Sequence, residues 1–239
     1  MIEDGLSVPE PACWDGPAPY RDHVARDTSA RVWGRDTVEF GRVTAFSDGL
    51  FSIAMTLLIV EVTVPHLVDK ESTRELAQQL ADLIPNFVGF FISFAMIGRY
   101  WVAHHKMFSV LRGTDYGLIV RNLFYLAFIA FLPFPTALLG DYFGNPLAVV
   151  AYAVVAGTVS TLEVVLIRHA WRAKLLRVRV TPAVMRWASI MSLSPVVAFA
   201  VSIPVAFASS VAAVVIWFLP LVFGIFTAHR APAGAEVLE

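Results

Sequence analysis

The chain has little of what a water-soluble enzyme or metalloprotein is built from. Only 15% of its 239 residues are charged against 57% hydrophobic, and the mean hydropathy is +0.67. That is too little polar side chain to cover a water-facing globule, so lipid is the expected solvent for much of the surface. Cys13 is the sole cysteine, which excludes an intrachain disulfide and a cysteine zinc site. The histidines, His66, His104, His105, His169 and His229 among them, form no H-x-x-x-H or H-E-x-x-H pattern, so no metal site is expected. Neither a nucleophile elbow, a Walker loop nor a dinucleotide fingerprint is present, and enzyme chemistry has no seat. No cofactor and no nucleic-acid partner is expected.

What the chain has is apolar length. Six runs, at 43–64, 83–104, 117–139, 147–169, 183–206 and 209–228, reach the ~20 residues a helix needs to cross the hydrocarbon layer. They are continuous rather than alternating, which argues against membrane strands. The expected fold is therefore all-α, a polytopic bundle of six transmembrane helices over 37–230. It is flanked by a disordered cytoplasmic tail over 1–36 and a short tail over 231–239. Ser72-Thr73-Arg74-Glu75 signals a helix start before the second crossing. Pro133, Pro135, Pro195, Pro204 and Pro220 fall inside apolar runs and read as structural kinks. No long internal repeat is visible, which weakens an inverted-repeat transporter reading.

The net charge of −1 hides an uneven layout. With the N-terminus inside, every Lys and Arg except Lys70 and Arg74 sorts to one side, Arg99 and the Arg168–Arg179 cluster included. The positive-inside rule then places both termini in the cytoplasm of a multi-pass protein of the cell membrane.

The start of the first run, Arg42-Val43-Thr44-Ala45-Phe46-Ser47-Asp48-Gly49, carries the most chemistry. A carboxylate this close to lipid depth needs a partner. On an ideal wheel with Ile53 at zero, Val60 falls at about −20°, Gly49 −40°, Thr56 −60° and Leu57 +40°, with Ser52 on the flank near −100°. Around a symmetry axis this face would stack an aliphatic constriction at Ile53, a hydroxyl ring at Thr56 and a second aliphatic ring at Val60. Apolar rings gate by excluding water, and hydroxyl oxygens replace part of an ion's hydration shell. Ile, Thr and Val are also common on any membrane helix, so periodicity alone leaves both readings open. Asp48 falls near −140°, towards helix packing, with Ser47, Trp101, His104, His105, Arg42 and Asn122 as candidate partners. Arg42, near −20°, would crowd a cation path unless its side chain turns into that cluster. His104 and His105 read as an interfacial hydrogen-bonding pair. Glu61 could form an acidic collar, and Glu163, five residues before Arg168, could snorkel or pair with a base.

The run RVTAFSDGLFSIAMTLLIVEV resembles the R-x-x-x-F-S-D-x-x-F signature of the transmembrane protein 175 family of endosomal/lysosomal potassium channels and their prokaryotic homologues. YWVAHHKMF at 100–108 and the stretch from Asn122-Leu123 to Pro133-Phe134-Pro135-Thr136 are similar to that family's second and third helices. The resemblance implies a single-unit chain acting as a homotetramer in the bilayer, four first helices lining a potassium-permeable pore, and no T-V-G-Y-G filter. It also implies a constriction at Ile53, pore-lining Ser52, Thr56 and Val60, and a helix-packing set of Arg42, Phe46, Ser47 and Asp48 with Trp101 and His104. A proton-coupled or proton-permeable transporter using Asp48 and Glu163 is the alternative.

Overall fold

Thr37 starts the first long helix by accepting the Phe40 amide at 3.3 Å, which supplies one of the bonds a helix N-terminus lacks. The same device recurs along the chain. Asp115 accepts from Leu118, Asn145 from Leu147 and Thr181 from Val184, and Pro146 and Pro182 then take the first helical position, where their fixed φ suits the helix. The computed structural model describes residues 32–178 and 180–228. In chain order these form β1 (Val32–Gly34), α1 (Val38–Leu57) with a 3-10 turn (Leu58–Glu61), α2 (Thr73–Asp82), α3 (Ile84–Ser109) and β2 (Gly113–Asp115). After these come α4 (Tyr116–Phe131), α5 (Pro133–Asp141), α6 (Pro146–Arg172), α7 (Pro182–Ala206), α8 (Ser210–Ile216) and α9 (Leu219–Ala228).

The helical bundle is as expected, and five segments are long and apolar enough to cross a membrane: Val38–Glu61, Ile84–Ser109, Tyr116–Asp141, Pro146–Arg172 and Pro182–Ala206. Proline decides where the outcome departs from six straight rods. Pro133 has no amide to give, so the third span breaks at Leu132 into α4 and α5, and the Thr136 hydroxyl and amide both donate to the Leu132 carbonyl. The sixth run is not one continuous helix. Pro220 cannot donate to Ile216, four residues back, and the chain breaks at Trp217-Phe218 into α8 and α9. The freed Trp217 turns inward, stacks on Tyr152 at 4.7 Å and donates to Ser202 at 2.8 Å. By contrast α7 runs through Pro195, because the Ser194 hydroxyl donates at 2.7 Å to the Met191 carbonyl that Pro195 leaves unserved.

Residues 32–36, expected as the end of a disordered tail, are ordered. β1 pairs antiparallel with β2, Val32 facing Asp115, and the Arg35 guanidinium donates to the Ser109 and Leu111 carbonyls beyond α3. The remaining tail residues, including Cys13 and 231–239, lie outside the described residues, as do His229 and Arg230. At this end His169 also bonds Asp115 at 2.9 Å, tying the end of α6 to the start of α4. At the opposite end Ser72 caps α2 as its sequence signals, accepting from Glu75 at 3.3 Å.

The core is aromatic and aliphatic, with Phe51, Leu58, Ile97, Tyr100, Tyr125, Ile129 and Tyr152 sealed from solvent. The α6 and α7 helices make the most extensive helix pair. Small residues let helices approach, as at Gly157, where an added methyl would lie 3.3 Å from Phe199 Cβ. The approach is tightest between α3 and α5, where a Cβ on Gly140 would sit 2.8 Å from Asn86 Nδ2 and 3.0 Å from its Cα. We expect Gly140→Ala to push these helices apart and break the 2.7 Å Asn86–Asp141 bond, at a cost of about 1–3 kcal/mol. Thermal unfolding in detergent reads this directly, and an unchanged midpoint would show that α5 moves freely.

Candidate functional site: the open face of the first helix

The α1 helix carries two faces of opposite fate. Phe40, Ser47, Phe51 and Ala54 are buried against the bundle, continued by Leu58, while Gly49, Ser52, Ile53, Thr56, Leu57 and Val60 all lie on the exposed side. Ile53 is 59% and Val60 67% exposed, and α1 is the least covered of the five spans. The residues that the wheel groups together are thus all exposed up to Leu57. Val60 belongs to the 3-10 turn, where the advance per residue is larger, so its ideal-helix angle does not hold although its side chain is open. Glu61 ends the same turn, exposed.

The hydroxyl chemistry of the stripe is directional. Thr56 donates its proton back to the Ser52 and Ile53 carbonyls at 3.1 and 2.9 Å. A hydroxyl has one proton and two lone pairs. With the proton turned to the backbone, the oxygen is left as an acceptor on the open face.

The buried face is held by a polar relay. The Ser47 hydroxyl donates to the Val43 carbonyl at 2.9 Å, so its oxygen must accept from Asn122 Nδ2, also at 2.9 Å. That fixes the amide with Oδ1 towards His104 Nε2 at 2.9 Å, and the imidazole must donate from Nε2. His104 is buried and packed by the rings of Phe51, Phe108 and Tyr125 at 5.5, 4.3 and 5.7 Å. It is a core histidine, and the expectation of an interfacial His104–His105 pair is corrected. His105 alone is exposed, beside Trp101.

The single polar cluster expected around Asp48 is in fact two. Asp48, half-buried, accepts from Trp101 Nε1 at 3.0 Å, separate from the Ser47–Asn122–His104 relay. Arg42 and Phe46 belong to neither. Phe46 is 54% exposed on the Ile53 side, and Arg42 stays exposed instead of turning inward, both lining a shallow groove with Ile119 and Leu123. Neither is buried within the subunit, because the buried side of α1 is already filled by Phe40, Ser47 and Phe51. Asn122 is the pivotal residue, and its signal in the sequence is a lone amide that follows Arg121 in a largely apolar helix. For Trp101→Phe we expect a loss of about 1 kcal/mol, since water can serve a half-buried carboxylate. A midpoint drop as large as that for loss of Asn122 would contradict the division into two clusters.

Among the described residues no group of three or more His, Cys, Asp or Glu stands together as a metal site. Arg99, sorted by charge to the inner connections, lies well inside α3, 3.7 Å from Glu163 of α6. Glu163 thus pairs with a base on another helix.

Residues 42–133, which hold the α1 face, the relay and Trp101, match the family described as endosomal/lysosomal potassium channel TMEM175. The fold agrees over a wider span. The crystal structure of a lysosomal potassium-selective channel TMEM175 homolog from Chamaesiphon minutus superposes with a TM-score of 0.65 at 32% identity, covering 82% of this chain and all of that one. The chain belongs to the TMEM175 family. A potassium channel from Chamaesiphon minutus is 43% identical over 127 residues, 53% of this chain and 62% of that protein. One from Streptomyces collinus is 41% identical over 104 residues, 44% of this chain and 49% of that protein. The human endosomal/lysosomal proton channel TMEM175 is 36% identical over 97 residues, 38% of this chain and 19% of its own length. The chain thus spans less than two thirds of the length of the curated relatives it matches.

Proposed function

We propose that this TMEM175 member is a potassium-permeable cation channel in which four copies meet about a common axis, with the open faces of α1 lining the passage. The observation that carries this reading is the division of α1, whose inner side is packed and relay-bonded while its other side presents Ile53, Thr56 and Val60 uncovered. Such a face suits a helix that meets its own copies, and the potassium-channel relatives support the ion. Ile53 forms the constriction that excludes water when closed, and the outward-turned Thr56 oxygens offer a partial hydration shell. Ser52 and Gly49 flank the path, and Leu57 and Val60 continue it towards a collar of Glu61.

Asp48 with Trp101, and the Ser47–Asn122–His104 relay, hold α1 at a fixed rotation, while Arg42 and Phe46 serve the contact between subunits. The chain sits in the cell membrane with both termini in the cytoplasm, which requires α8 and α9 together to complete a sixth crossing. Arg35, Arg112, Lys174 and Arg177 gather at the β1–β2 end and Lys70 and Arg74 lie with α2, which supports that orientation.

The test is flux from liposomes holding the purified full chain, under K⁺, Na⁺ and pH gradients in turn. Passive K⁺ flux exceeding Na⁺ flux is expected. A saturable flux that requires a proton gradient would replace the channel with a proton-coupled transporter, and passive proton flux would bring in the proton-permeable reading that the proton-channel relatives favour.

A further inference from the structure

A second site lies away from the pore face. Between α3 and α7, floored by α6, is a cavity of about 370 Å³. Its walls include Met107, Leu166, Ile167 and Trp187, and three charged groups reach it: Arg99, Lys106 and Glu163. Arg99 Nη2 is buried and makes no hydrogen bond among the described residues, its charge opposed by Glu163 at 3.7 Å, while its guanidinium carbon lies 4.6 Å over the Tyr100 ring. One carboxylate against two cations leaves the cavity net positive. A part-buried guanidinium with one buried, unserved donor calls for an acceptor.

The cations stand at two depths. Lys106 is in the last turn of α3 at the basic end of the bundle, and Arg99 is two turns deeper, about 10 Å along the axis. Beyond Arg99 and Met191, which line both spaces, a smaller chamber of about 90 Å³ continues between Met96, Trp217 and Leu221. From the basic end inward the order is thus cation, apolar wall, cation, and a chamber whose walls are apolar except for Arg99 and Ser194. Trp187 lies near the start of α7, and an indole near the end of a span suits the headgroup level.

We infer that this cavity binds one acidic glycerophospholipid per subunit, its phosphate at Lys106, its ester carbonyls accepting from Arg99 and an acyl chain running into the deeper chamber. Acceptors at two depths followed by hydrocarbon are the chemistry of such a lipid, and a basic pocket between spans is where an anionic headgroup gains most. The inference needs the membrane reading but not conduction, and its test uses no current. His104 lines the same cavity, so an occupant touches the relay that holds α1.

The test is native mass spectrometry of the full-length protein titrated in detergent with phosphatidylglycerol, phosphatidylcholine or inorganic phosphate. We expect retained phosphatidylglycerol to saturate at one per subunit and to bind about fivefold more tightly than phosphatidylcholine, with that preference lost in Lys106→Gln. Removing the ion pair as a unit, Arg99→Leu with Glu163→Leu, strands no charge and keeps the fold testable by thermal midpoint. Loss of the lipid from the folded double variant supports the site. Equal retention of the two lipids, retention unaltered in both variants, or saturation by inorganic phosphate in place of lipid would overturn it.

Discussion

Replacing Ile53 by Asn will raise K⁺ current through the reconstituted channel on the order of tenfold, equivalent to about 1.4 kcal/mol off the conduction barrier. The reason is local. An isoleucine ring at a narrow point excludes water, so an ion crossing it sheds hydration with nothing in return, and an amide restores both water and ligand atoms. The substitution is clean because Ile53 contributes nothing to the subunit core, being 59% exposed on the side of α1 that faces away from the bundle. Thermal stability should therefore change by less than about 0.5 kcal/mol. Current and unfolding midpoint measured on the same preparation separate a gate from a packing residue. Unchanged current with an unchanged midpoint would remove Ile53 from the constriction.

Asn122→Leu will cost stability and selectivity together. Among the described residues the amide joins the Ser47 oxygen to the His104 ring, both buried, and leucine strands an imidazole N–H and a hydroxyl acceptor together. Each stranded group costs about 1–3 kcal/mol, although bonds between membrane helices measure nearer 0.6 kcal/mol when the unfolded reference finds other partners. A total of about 2 kcal/mol, or a fall of roughly 4–8 °C in midpoint, is expected. The same change frees the rotation of α1, so K⁺ over Na⁺ preference should fall in whatever fraction still folds. Ser47→Ala, which strands only one Asn122 N–H, should cost less. An Asn122→Leu protein as stable as the parent would show that α1 is held by its apolar contacts alone.

Much of this was legible in the sequence, and the failures share a cause. Helix positions follow from apolar length, and the open stripe from Gly49 to Leu57 follows from turn per residue; both are local properties. Partnership across helices is not local. Nothing in the string says that α3 is rotated to send His104 inward to Asn122 and Trp101 towards Asp48, so one expected cluster is two in fact. Arg42 stays exposed instead of turning into a cluster for the same reason, since a motif records that residues occur together and not which neighbour they touch. The prolines show a second limit. Pro195 and Pro204 are carried through α7, the first with Ser194 serving the orphaned carbonyl, whereas Pro133 and Pro220 mark breaks, so proline alone does not say which outcome follows. Arg99 reads in the sequence as one more inner charge, and only the approach of Glu163 from another helix sets it apart.

The central claim is that the uncovered stripe of α1 meets copies of itself. A density map of the full chain in a lipid nanodisc tests it most directly: the account predicts four subunits with Ile53 the side chain nearest the common axis, and an oligomer whose Ile53, Thr56 and Val60 face lipid would contradict it.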